Sequence, residues 1–236
     1  MLTSNRRPFH KAGTFLSVRE VPITRWSSPW PMNLRPRPLT LLMLCFGLIL
    51  FGLGEALIIA AALGVSPWTV LAAGIALHTD WSIGMATFVV SIAILLLWIP
   101  LAQRPGIGTI ANAVIIALTI DLALAWLPRP DLPGWQLFQV VLGVLVTGLG
   151  SGFYLVANLG PGARDGLMTG IQRKSGWPIA VVRALIECLA VVAGWLLGGA
   201  VGVGTLVFAF GIGPAVALGL SVVRAVSRPV ESKISS

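Results

Sequence analysis

Four ionisable side chains lie inside otherwise continuous apolar sequence: Glu55, Asp121, Arg183 and Glu187. A charge at the centre of a hydrocarbon layer costs about 2.5–3.5 kcal/mol on insertion scales, so each needs a partner or a purpose. Arg183 and Glu187 are four residues apart, so on a helix they share a face and can pair, with Arg183 reaching toward water. Helical spacing alone explains them as a structural pair; as a functional pair, Glu187 is a proton or cation site whose affinity Arg183 tunes. Glu55 stands between Gly54 and Ala56 with no cation within one turn. Its available states are a neutral acid facing the bundle interior or a cross-helix pair with Arg183. Asp121 is nearer the end of its apolar run, where interfacial water is within reach. A further pair, Arg164-Asp165, follows a glycine-rich turn at a helix start. There Asp165 can cap, and Arg164 suits either a basic anchor or the binding of an anionic solute or lipid headgroup. These six residues are the candidate ion or substrate ligands. HExxH, GxSxG, Walker and metal-spaced motifs are absent from the sequence, and Cys45 and Cys188 stand singly in apolar runs. Neither a cofactor nor a metal is indicated, and an enzyme is not expected.

The elements that carry these residues are membrane spans. Of 236 residues, 56% are hydrophobic and 10% charged, and mean hydropathy is +0.92, which excludes water as the main solvent. Six apolar runs, at about 39–63, 82–101, 107–127, 137–159, 178–199 and 203–222, each approach the roughly 20 residues that a bilayer core requires. Continuous runs of that length exclude strand-built barrels and leave helices. The first is too long for a signal-peptide core, so no cleavage is expected. Trp81, Trp98, Trp126, Trp135, Trp177 and Trp195 fall near run ends, where indoles prefer the interface. The net charge of +8 is carried between the runs and not as a nucleic-acid patch. Six spans put every basic residue but Arg129 on the side of the N-terminus or at its margin, which predicts a bacterial plasma-membrane protein with both termini cytoplasmic. The expected organisation is a disordered basic tail over 1–38, a three-helix unit over 39–127, an external loop over 128–136, a second unit over 137–222 and a C-terminal tail over 223–236. Met32 precedes a compact start and is the expected translation initiation site.

Sliding the chain by 96 residues aligns the two units without a gap. Gly52-Leu53-Gly54 falls on Gly148-Leu149-Gly150, Leu63-Gly64 on Leu159-Gly160, and Gly106, Gly108 and Thr109 on Gly202, Gly204 and Thr205. Three spans per unit is an odd number, so the second copy is expected upside down relative to the first, the architecture of many secondary transporters. Each unit has a short helix after its first span, opened by Ser66-Pro67-Trp68 in one and by Gly160, Gly162 and Gly166 around Arg164-Asp165 in the other. Ser66 is placed to cap, and both helices are expected to lie in the membrane interface. Glycines recurring every four residues in the second unit suit close helix packing and are compatible with a homodimer. Pro214 is placed to kink the last span.

Leu63-Gly64-Val65-Ser66-Pro67-Trp68, the run from Leu159 to Gly170, and Gly202-Val203-Gly204-Thr205 resemble the YczE/YyaS/YitT group of bacterial integral membrane proteins, most of all its YczE branch. The resemblance spans about residues 38–222. It implies a multi-pass plasma-membrane protein and brings no catalytic or binding residues with it. The leading expectation is an all-α, permease-like protein moving a small or anionic solute, with the lipid bilayer as its main partner. Its rival is a non-transporting scaffold for a partner enzyme, with a lipid-modifying enzyme third. The topology has a direct check. With Cys45 and Cys188 replaced by alanine, Arg129→Cys should react with an impermeant maleimide from outside intact cells, and tags on both termini should be protected; labelling of position 129 only after cell lysis would refute the arrangement.

Overall fold

A computed structural model describes residues 21–227. It contains eight helices: α1 (Pro38–Ala60), α2 (Pro67–His78), α3 (Ile83–Leu97), α4 (Ile107–Leu124), α5 (Pro133–Ala157), α6 (Ala163–Ser175), α7 (Ile179–Leu196) and α8 (Val203–Val226). Local chemistry sets most of these ends. Prolines open α1, α2 and α5, where a missing N–H is no loss. The Ser82 hydroxyl accepts from Met85 N at the start of α3. Left-handed Gly176 closes α6, whose last turn carries Arg173 and Lys174 against the helix dipole. Five helices, α1, α4, α5, α7 and α8, are long and apolar enough to cross a bilayer. The pair α2 and α3, bent by 115°, makes a sixth if counted as one span.

The run at 82–101 is shorter as a helix than its hydropathy suggests. α3 has 15 residues, and the chain then turns through Pro100 and Ala102 (φ 51°). α5 begins at Pro133, ahead of the expected 137, and α8 continues past 222 to Val226, unbroken at Pro214. The first turns of α2 and α6 are packed into the bundle. Ser66, Pro67, Trp68, Thr69 and Val70 are all buried, as are Ala163, Gly166, Leu167 and Met168. Trp98 follows α6 inward. It is 2% exposed, its ring lies against Gly166, and its Nε1 donates to Ala163 O at 2.9 Å, whereas Trp81, Trp126, Trp135, Trp177 and Trp195 are exposed.

The described part of the N-terminal segment is also ordered, against the expectation of a disordered tail through residue 38. Trp26 sits in a cluster with Leu44, Tyr154, Leu220 and Val223, and donates from Nε1 to Ser227 Oγ at 3.0 Å. Ser28 N donates to Ala157 O, and Asn158 Nδ2 to Ser28 O. One buried indole anchors a segment whose arginines dominate its sequence. Residues 1–20 and 228–236 of the expected tails lie outside the described residues, and Met32 itself is exposed.

The helices recur in register: α6, α7 and α8 begin at 163, 179 and 203, each 96 residues after α2, α3 and α4 at 67, 83 and 107. α1 and α5 cross antiparallel, Gly47 lying on Gly150 and Gly54 on Gly143. α5 and α8 run parallel, with Gly148 on Ala215 and Gly152 on Gly219, and Gly52 of α1 meets Ile116 and Thr119 of α4 in the same way. The small residues let backbones touch where lipid offers no hydrophobic drive. The units differ in how their middle helices pack: α3 packs along α4, but α7 barely meets α8 and leans on α2 and α6.

The α1–α5 seam tolerates no added atom. A Cβ at Gly150 would lie 2.5 Å from Gly47 O and Phe51 N, whereas one at Gly134 meets nothing within 4 Å. Gly150→Ala should therefore destabilise the protein by about 1–3 kcal/mol despite its better helix propensity, and Gly134→Ala should be neutral or mildly stabilising. Thermal unfolding in detergent measures both, and equal midpoints would contradict the packing.

Candidate functional site

Glu55 lies near the end of α1 and is 1% exposed. The chain turns back after α1 so that the first turn of α2 meets this carboxyl. Ser66 Oγ donates to Glu55 Oε2 at 2.7 Å and Thr69 Oγ1 donates to the same oxygen at 2.8 Å; the two hydroxyls are 2.9 Å apart. Ser66 occupies the N-cap position, but its hydroxyl makes no cap bond because it is committed to Glu55. The other carboxyl oxygen, Oε1, is buried without a hydrogen-bond partner.

The second unit builds the corresponding corner differently. Gly162, not Asp165, is the N-cap of α6. Asp165 Oδ2 instead accepts from Tyr154 Oη at 2.6 Å, tying the first turn of α6 to α5. Arg183 does not reach Glu55 as a partner. It pairs within its own helix, Nε to Glu187 Oε1 at 2.9 Å, with side-chain exposures of 52% and 26%. Asp121 is apart from all of these, accepting from Ser82 Oγ at 2.6 Å and from Gly84 N at 2.8 Å, so it secures the start of α3 to α4.

The first turns of α2 and α6 converge on a cavity of about 230 Å³ whose walls include residues of all eight helices. Its lining contains Arg164, Asp165, Arg183 and Glu187 together. Much of the wall comes as pairs 96 residues apart: Pro67 with Ala163, Trp68 with Arg164, Thr87 with Arg183, Ser91 with Glu187, Asn112 with Phe208, and Ile116 with Ile212. The first unit supplies an indole and two hydroxyls at the places where the second supplies two guanidiniums and a carboxylate. Those hydroxyls are spent locally, Thr87 donating to Ile83 O and Ser91 to Thr87 O.

Of the two arginines lining the cavity, Arg164 is the one without a bonded partner among the described residues. Its Cζ stands 5.4 Å from the centroid of the Trp68 ring, and the described residues give its guanidinium no hydrogen bond or ion pair. Arg164 belongs to α6, outside the five spanning helices. Burial pushes its pKa down from the ordinary guanidinium value, opposed by the charges of Glu55, Asp165 and Glu187. It remains a cation at any physiological pH.

Five of the six candidate ligands thus gather around one cavity, with Glu55 just behind its wall and Asp121 elsewhere. Residue types alone did not single out Tyr154, Asn112, Thr87 or Ser91. The repeat could have found two of them, since Thr87 and Ser91 stand in register with Arg183 and Glu187. Tyr154 is the chain's single tyrosine, set within an apolar run.

Comparison with known proteins places this arrangement in a family. Residues 39–220 match the model described as "Family of unknown function (DUF6198)". An uncharacterized protein of Haemophilus influenzae is 39% identical over 208 residues, 87% of this chain and 94% of that protein. The uncharacterized membrane protein YczE of Bacillus subtilis is 34% identical over 166 residues, 69% of this chain and 77% of that protein. No solved structure matches. With the family model covering all eight helices but the ends of α1 and α8, the chain belongs to the DUF6198 family and is a multi-pass membrane protein akin to YczE.

Proposed function

We propose that the protein is a permease that carries a small anion through the central cavity, with Arg164 as the principal ligand. The observation that carries this reading is an unpaired guanidinium in a cavity walled by both units. A guanidinium offers planar donors suited to carboxylate or phosphate oxygens. The starts of α2 and α6 add N–H groups at the same place, as discontinuous helices do in secondary transporters. A cavity of about 230 Å³ is below the roughly 300–1,000 Å³ of drug-sized sites, which favours a small solute. A scaffold would be better served by a dry, packed centre.

The same reading gives the membrane arrangement. α2 and α3 together form one bent span, making six, with both termini cytoplasmic in the bacterial inner membrane. The two units are inserted in opposite orientations, a view supported by the 96-residue register and the antiparallel α1–α5 crossing. Alternating access would then be a rocking of one unit against the other about that glycine seam, with α7 free to move because α8 scarcely holds it.

Purified protein in liposomes provides the test. Uptake of labelled inorganic phosphate and of a series of one- to four-carbon carboxylates should exceed that of empty liposomes for at least one solute. Arg164→Gln should weaken its apparent affinity by about tenfold or more, as expected for a charge-assisted contact of about 1.5–3 kcal/mol, while Arg129→Gln should leave it unchanged. Uptake indifferent to Arg164→Gln, or absent for every solute, would sink the proposal.

A further inference from the structure

The charges that line the central cavity are balanced. Arg164 and Arg183 bring two positive charges and Asp165 and Glu187 two negative ones, and among the described residues the lining has no other acidic or basic side chain. Glu55, behind the wall, adds either nothing or a further negative charge, so it cannot tip the balance toward an anion. A net anion leaving water for this site gives up hydration, while the attraction of the arginines is largely cancelled by the two carboxylates. A solute carrying both signs draws on all of them. The four groups are not equally engaged. Arg183 and Glu187 hold each other at 2.9 Å. Arg164 and Asp165 are neighbours on one helical turn, so their side chains diverge, and no ion pair joins them among the described residues. Tyr154 Oη occupies one oxygen of Asp165, Oδ2, at 2.6 Å. Beside that carboxylate the wall is bare backbone: a Cβ on Gly162 would lie 3.3 Å from Asp165 Oδ2 and 3.5 Å from Asn112 Nδ2. Gly162 and Asn112 both belong to the cavity lining. A half-turn of the Asn112 amide exchanges its nitrogen for its oxygen, so it can present an acceptor there as well as a donor.

We infer that the solute is a small zwitterion, an amino acid with a short side chain, held with its carboxylate on Arg164 and its ammonium on Asp165 and Asn112 beside Gly162. This rests on Arg164 as the ligand of the solute's anionic group, and narrows that group to a carboxylate with an ammonium close by. The two charges of an α-amino acid are separated by a single carbon, and the side chains that receive them leave adjacent residues of one turn. The bound solute lets Arg164 and Asp165 neutralise each other without touching. Asp165 can serve because a carboxylate accepts through both oxygens: the bond from Tyr154 fixes it against α5 through Oδ2 and leaves Oδ1 to accept from an ammonium. Glu187 is the poorer choice, since its Oε1 already holds Arg183. A cavity of about 230 Å³ restricts the side chain to a short one.

Equilibrium binding of labelled alanine and of labelled propionate to the full chain in lipid nanodiscs tests this, with propionate lacking the ammonium and unlabelled ethylamine, as competitor, lacking the carboxylate. Alanine should bind saturably and about tenfold or more tightly than either, as expected when one charge-assisted contact is lost. Asp165→Asn should weaken alanine by about tenfold or more and leave propionate as tight or tighter. Gly162→Ala keeps every charge but intrudes beside Asp165 and Asn112, so it should weaken alanine more than propionate; it carries the test if Asp165→Asn does not fold. Arg164→Gln should weaken both. Saturable alanine binding that is absent, no tighter than propionate, or equally tight in Asp165→Asn and Gly162→Ala would overturn the inference. If propionate or inorganic phosphate then binds and depends on Arg164, the anion carrier stands and the zwitterion alone falls; if no solute depends on Arg164, both fall.

Discussion

Non-helical backbone inside a membrane bundle must find its hydrogen-bond partners within the protein, and this fold meets that demand reciprocally. Leu63 O, after α1, accepts from Gly204 N at the start of α8, and Leu159 O, after α5, accepts from Gly108 N at the start of α4, both at 2.7 Å. The residues that follow, Gly64 (φ +99°) and Gly160 (φ +111°), adopt a backbone conformation that side chains resist, and each presses on the glycine that opens the opposite unit's last helix. Each re-entrant turn is thus completed by the other half of the chain. Neither unit closes by itself, and closing them together delivers the first turns of α2 and α6 to the middle of the bundle.

On that symmetric frame the chemistry is distributed unequally. Bulk has changed sides at one pair of equivalent contacts: Trp98, just past the end of α3, covers Gly166 on α6, while Gly194 on α7 makes room for the backbone at Val70 and Leu71 of α2. Polarity has changed in the same manner. Glu55 stands in register with Ser151, and Arg164, Arg183 and Glu187 stand in register with Trp68, Thr87 and Ser91. One unit keeps the sealed carboxyl and the other holds the charges facing the cavity. A homodimer of single units could not differ in this way, because every residue would appear twice. Fusion into one chain lets one half present charge while the other provides the low-dielectric wall that strengthens it.

What could be read from the sequence follows the same division. The register of 96 was plain because Gly64, Gly108, Gly160 and Gly204 sit where no other residue fits, so both copies retain them at matching positions. Hydropathy located the spans but overextended the run at 82–101, since it does not register that Pro100 stops a helix early. It also hid Trp26, one anchoring residue among arginines. The packing of the first turns of α2 and α6 was hidden because it depends on partners that come from distant sequence: Glu55 for Ser66 and Thr69, Tyr154 for Asp165. The pairing of Glu55 with Arg183 failed for a plainer reason. Glu187, one turn away on the same helix, reaches Arg183 without any tertiary arrangement.

On the proposed reading, that local pairing also decides which of the cavity's two arginines would serve an incoming anion. Arg183 is already neutralised by Glu187, and an anion would have to displace a carboxylate held at 2.9 Å. Arg164 has its Cζ 5.4 Å from the centroid of the Trp68 ring. A cation–π contact acts on the charge and takes up no acceptor-seeking N–H donor in a conventional hydrogen bond. The indole can therefore support the cation without consuming a hydrogen bond, which in the proposed carrier would leave the guanidinium donors available to a forked oxyanion. A lysine at position 164 would keep the charge but lose the planar fork of donors. The identity of that side chain, beyond its sign, is what the geometry of the cavity selects.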